Sequence, residues 1–159
     1  MATCRVLNST PLVFVVDDDP AVANVLACIL KSNGCLTRVF TDPSQAARPE
    51  LPAPDLLVTD YCMPAMNGVE LMRRCRLLWP GLKTLMVSGG FPQWTHDQPE
   101  RFLAKPFWPR ELVQAVRELT TDGDYGPDRT CPTFKRFNNA DRGPARHEGI
   151  QPERPRHTQ

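Results

Sequence analysis

Leu12–Val16 is an unbroken apolar run rich in valine, and three runs of similar kind follow it at Asp55–Thr59, Thr84–Val87 and Arg101–Ala104. A short run without polar alternation fits a strand covered on both faces, the condition met inside a parallel sheet. Cys35–Phe40 alternates more and reads as an edge strand. Amphipathic stretches separate these runs, so residues 1–120 alternate between strand and helix in the manner of βα units. The alternation predicts an α/β domain, a doubly wound sheet of five parallel strands.

The helix signals are placed accordingly. Asp19 reads as an N-cap with Pro20 in the first helical position, Val22, Val25, Leu26, Ile29 and Leu30 form one face, and Gly34 ends the stretch. A second long helix starts at Asn67 or Gly68, sets Val69, Leu71 and Met72 against exposed Arg73, Arg74 and Arg76, and stops at Pro80-Gly81. The last begins near Pro109 with Leu112, Val113, Val116 and Leu119 inward. Prolines at 43, 49, 52 and 54, and again at 92 and 99, leave room for only short second and fourth helices.

Composition changes near residue 121. From Thr121 to Gln159, alanine and the four residues Tyr125, Phe134, Phe137 and Ile150 are the only aliphatic or aromatic side chains, among five prolines, four glycines and thirteen charges. Such a stretch buries too little apolar surface to offset its ordering entropy. The expected organisation is an N-terminal extension over 1–10, a folded domain over 11–120 and a disordered tail over 121–159, with Cys131–Asn138 as a candidate docking stretch. The net charge of +1 gives no global pull toward nucleic acid or anionic membrane. No apolar run reaches the length of a membrane span and no signal-like segment opens the chain, so the expected location is the cytoplasm. Six cysteines without a C-x-x-C pair read as reduced, mostly buried thiols, with neither a disulfide framework nor a zinc site.

In an open α/β sheet the ligand site lies beyond the carboxyl ends of the strands. Asp17-Asp18-Asp19 follow the first run, Asp60 the third, Ser88 the fourth and Lys105 the fifth. Taken singly, the acidic triplet reads as a helix cap with surplus charge, and Asp60 as a turn residue. Their joint placement points to one site instead. Carboxylates crowded at one edge repel each other unless a cation neutralises them, and oxygen ligands with room for water suit Mg²⁺. A lysine and a hydroxyl opposite supply what a phosphoryl group needs, a positive charge and a hydrogen-bond donor. Asp60, alone on the central strand, is the candidate nucleophile.

The segments Val15-Val16-Asp17-Asp18-Asp19-Pro20, Asp60-Tyr61-Cys62-Met63-Pro64-Ala65-Met66-Asn67-Gly68, Val87-Ser88-Gly89 and Phe102-Leu103-Ala104-Lys105-Pro106-Phe107 resemble the receiver domain of two-component response regulators. The resemblance covers about residues 10–120 and implies the flavodoxin-like strand order 2-1-3-4-5. It implies that Asp60 accepts a phosphoryl group from phosphohistidine, that Asp17, Asp18, Asp60 and the backbone carbonyl of Cys62 hold Mg²⁺, and that Ser88 and Lys105 grip the phosphoryl oxygens. Ser88 and Phe102 would form the switch, and the Lys105-Pro106 bond would be cis. The sixteen residues between Ser88 and Lys105, with the Phe-Leu-Ala-Lys-Pro-Phe segment, look like receivers attached to hybrid histidine kinases. Gly90 stands where the family often has an aromatic residue.

The expected function is that of a single-domain response regulator in a phosphorelay, not a dedicated enzyme. Its expected partners are a histidine kinase or a histidine phosphotransfer protein and a downstream protein target, with homodimerisation as an option and neither DNA nor membrane. A haloacid-dehalogenase-type phosphohydrolase would carry Asp-x-Asp-x-Thr or Val, and here Asp17-Asp18-Asp19-Pro20-Ala21 ends in alanine with no room for a cap domain. A receiver-like binding module that acts without phosphorylation is the alternative. A transcription factor is disfavoured because residues 121–159 lack a helix-turn-helix pattern.

Overall fold

Asp19 and Pro20 open the first helix as the sequence predicts. In the computed structural model, which describes residues 10–90 and 96–121, the Asp19 carboxylate accepts from the amides of Ala21 at 2.8 Å and Val22 at 3.4 Å. That cap satisfies amides that the first helical turn leaves without partners. The helix, α1, spans Pro20–Ser32, and Gly34 just beyond it has φ +87°, a conformation that favours glycine. Its buried residues are Ala23, Leu26, Ala27 and Leu30. Val25, expected inside, is 58% exposed. The small alanines at 23 and 27 take the sheet-facing stripe, and Val25 falls beside it.

The strands are β1 (Leu12–Val16), β2 (Leu36–Phe40), β3 (Leu56–Asp60), β4 (Lys83–Ser88) and β5 (Arg101–Ala104). All pair in parallel in the order β2-β1-β3-β4-β5, which is the expected flavodoxin-like topology. Three further helices are described: α2 (Pro43–Ala46), α3 (Gly68–Leu78) and α4 (Pro109–Thr120). Alternation along the strands divides the core in two. Val13, Val15, Val58, Leu85 and Val87 pack with Leu26, Leu30, Leu112 and Val116 of α1 and α4. Phe14, Val16 and Leu57 pack on the other face with Ala46 of α2 and Leu71 and Cys75 of α3. Phe14 also meets Trp79 edge to face, with ring centroids 5.9 Å apart.

The second helix is one turn long, as the prolines require. Residues 96–100, described before β5, form no helix, and residues 91–95 of the connection where a short fourth helix is expected lie outside the described residues. On both sides of Pro99, Asp97, Gln98 and Glu100 are engaged by arginines of α3. The cysteines also depart from expectation. Of the four described, only Cys75 is buried, and burial pushes its thiol pKa up to about 12. Cys35 is half-buried, while Cys28 and Cys62 are exposed.

No helix among the described residues is long and apolar enough to cross a membrane. The expected extension, apart from Thr10, and the expected tail from residue 122, with its Cys131–Asn138 stretch, lie outside the described residues, as do residues 91–95.

Candidate functional site

Strand register sets the site. Val16 pairs with Thr59, so Asp17 and Asp60, each one residue further on, leave adjacent strand ends side by side. Ser88 pairs with Ala104, which places Lys105 immediately beyond it. The gap between β1 and β3 is also where the strand order reverses, the crevice in which open α/β sheets bind their ligands.

Lys105 joins the two carboxylates. Its Nζ donates to Asp60 Oδ1 at 2.6 Å and to Asp17 Oδ2 at 3.0 Å. Asp17 is 2% exposed and Asp60 7%, so both charges would be costly without such a partner. Burial opposes the lysine's own charge, but hydrogen bonds to Asp60 and Asp17 and their negative charges outweigh it and hold the ammonium pKa above its ordinary value. Backbone amides complete the shell. Cys62 N–H donates to Asp60 Oδ2 at 2.6 Å, and Asp19 N–H donates to Asp17 Oδ1 at 3.0 Å. The Asp60 carboxylate is thus fixed at both oxygens.

Ser88 is buried at the end of β4; its Oγ accepts from Gly90 N–H at 3.1 Å, and its carbonyl accepts from Lys105 N–H at 2.7 Å. The Lys105-Pro106 peptide is cis, as the family resemblance implies. Asp18 lies next to the pair but is exposed. Phe102 is half-buried on β5 and paired in register with Met86.

Two participants escaped the sequence reading. Gly68 begins α3 directly beneath the end of β3, where a Cβ would overlap the carbonyl oxygen of Asp60. Its amide donates to Tyr61 O at 2.9 Å. The Asn67-Gly68 pair could have signalled this close approach, since Asn67 caps the helix through Glu70 N–H. The second is the Cys62 amide, which donates to the carboxylate and for which no side-chain pattern gives a sign.

Two buried carboxylates sharing one ammonium leave a net negative charge at a hard-oxygen site. Among the described residues no three Asp, Glu, His or Cys side chains converge into a ready-made metal cage. Mg²⁺ does not require one, because it binds through one or two carboxylates and keeps several waters. The residues present therefore fit it.

The sequence matches the response regulator receiver domain over residues 13–117. The chain belongs to that family. Its receiver is 37% identical over 115 residues to the DNA-binding response regulator MtrA of Mycolicibacterium smegmatis, covering 66% of this chain and 48% of MtrA. The chain thus spans about half the length of the curated relatives it matches. A CheY-like receiver domain protein from Methanospirillum hungatei superposes on this receiver with a TM-score of 0.61 at 26% identity, over 69% of this chain and 93% of that one. The receiver domain of the sensor histidine kinase PA1611 from Pseudomonas aeruginosa, whose structure has a magnesium ion in the active-site cleft, superposes with a TM-score of 0.62. It is 23% identical and covers 70% of this chain and 98% of that one. A CheY-like protein and a sensor kinase therefore carry receivers of this fold.

Proposed function

We propose that this receiver accepts a phosphoryl group from a phosphohistidine onto Asp60 in a Mg²⁺-dependent reaction, and that the transfer switches a protein-interaction surface. The observation that carries the reading is Lys105 spanning Asp17 and Asp60 at the carboxyl edge of the sheet. A carboxylate oxygen of Asp60 attacks phosphorus, the phosphorus–nitrogen bond of the donor breaks, and its electron pair returns to the imidazole. The Cys62 amide and Lys105 hold the Asp60 carboxylate in one orientation, which removes rotational freedom before attack. Lys105 is placed to follow the charge onto the phosphoryl oxygens, and Ser88 supplies a hydroxyl one strand away. Mg²⁺ held by Asp17, Asp18, Asp60 and the Cys62 carbonyl would supply further positive charge against those oxygens.

The donor is a histidine kinase or a histidine phosphotransfer protein, and the output is a downstream protein. Phosphorylation adds roughly two negative charges, and the resulting pull on Ser88 opens space for Phe102 to move. That is a population shift between two packings of one fold. The test is intact mass after incubation with acetyl phosphate, with and without Mg²⁺, on the wild type and on Asp60→Asn. One Mg²⁺-dependent phosphoryl adduct, absent from the variant, is the expected result. No adduct, even with a phosphohistidine donor, would favour a binding module that works without phosphorylation.

A further inference from the structure

The stretch preceding β5 is tied by charge to α3. Arg73 Nε donates to Asp97 Oδ2 at 2.6 Å. Arg76 Nη2 donates to both carboxylate oxygens of Glu100, each at 2.8 Å, and the two terminal nitrogens of Arg76 reach the Gln98 carbonyl at 3.3 and 3.4 Å. Arg73 and Arg76 stand three residues apart and so share a face of α3. Glu100 is used on its other side as well, because Oε2 accepts from the Thr84 amide at 2.6 Å. The β4–β5 pairing begins one residue later, with Leu85 opposite Arg101. The carboxylate therefore takes the β4 amide that precedes the first strand pair.

Both ends of this connection lead to the phosphoryl site. The start of α3 is locked to the phosphoacceptor strand by the Gly68 amide on Tyr61 O and by the lack of room for a side chain at Gly68. β5 delivers Lys105, whose amide donates to Ser88 O. We propose that Arg76 and Glu100 are a positioning pair. They fasten the start of β5 to α3, so that the strand carrying Phe102 and leading into Lys105 stays in register with β4, which in turn pairs with the strand carrying Asp60. The role of the pair in signalling rests on Asp60 being the phosphoacceptor; the fastening itself does not. Both side chains are partly exposed, which leaves the pair open to screening by salt.

Residue-resolved amide hydrogen exchange on the full chain tests the proposal with Glu100→Gln, Glu100→Ala, Arg76→Glu and the reciprocal double variant Arg76→Glu/Glu100→Arg. Glutamine keeps an acceptor for the Thr84 amide but removes the ion pair. In Glu100→Gln the amides of Arg101–Ala104 should exchange about tenfold faster, with those of β1 and β3 unchanged. Thr84 should lose protection in Glu100→Ala. The double variant should recover protection in β5 while Thr84 stays fast, because a guanidinium has no acceptor. High salt should move the wild type toward Glu100→Gln. Unchanged β5 protection in both Glu100 variants would overturn the proposal, as would a loss spread equally over β1 and β3, or a double variant that recovers nothing. Parallel mass measurements with acetyl phosphate should show slower labelling of Asp60 in Glu100→Gln. If the wild type takes no label, the phosphoacceptor reading fails, and the pair is judged on exchange alone.

Discussion

β3 and β5 carry the two sides of the same site under opposite conditions. All five residues of β3 are buried, and the strand is paired on both edges. β5 has four residues, none fully buried, and one neighbour. Asp60 therefore sits on a strand that cannot shift without disturbing both layers of the core. Phe102 sits on, and Lys105 just after, a strand held by one ladder and a few charges. Under the proposed function, the first is a fixed point for chemistry and the second a compliant element for the response.

The comparison is broken most severely at the fixed point. Leu57→Ala in the middle of β3 should cost about 2–5 kcal/mol, read as a lowered urea midpoint with an unchanged slope. Gly68→Ala should cost about 1–3 kcal/mol, since its Cβ meets backbone rather than a flexible side chain. It should also slow acetyl phosphate labelling by displacing Asp60. Phe102→Ala on the half-buried edge should cost about 1–2 kcal/mol, less than Leu57→Ala. A Phe102 cost equal to that of Leu57 would remove the contrast between the strands.

The smallest effect is a pH dependence. The folded pKa of Lys105 lies above its ordinary value of 10.5. Its ion pairs therefore contribute stability that is fully present below about pH 10.5 and is lost as pH rises through the folded value. In alkaline denaturation the wild type should lose stability more steeply than Lys105→Ala in that range. Equal slopes would mean that the lysine does not neutralise the acid pair.

The same contrast explains what the sequence made legible. The central strands and their terminal residues Asp17, Asp60 and Ser88 could be read because burial on both faces leaves an uninterrupted apolar run that ends abruptly in polar side chains. α1 was readable from Asp19-Pro20 and Gly34, but its rotation was not. Two alanines won the sheet-facing stripe over Val25 because close approach to the sheet favours small residues, and hydrophobicity alone ranks them the other way. The course of residues 96–100 before β5 was not legible, since it depends on Arg73 and Arg76, which lie more than twenty residues earlier. Backbone donors such as the Cys62 amide leave no mark on the side-chain pattern.

The site also spans the chain. Asp17 and Lys105 are 88 residues apart in sequence, and Asp17 and Asp60 come together only because β1 and β3 are neighbours in the sheet. Contacts of such separation form late and slowly, after local structure has closed the intervening loops. On a ribosome, β1 and β3 emerge with their acids before β5 brings the lysine. A partly synthesised chain thus holds the two acids without their counter-charge, which arrives with the last strand of the sheet. The ion pairs of Lys105 therefore close the carboxyl edge of the sheet only in a chain whose five strands are all in place.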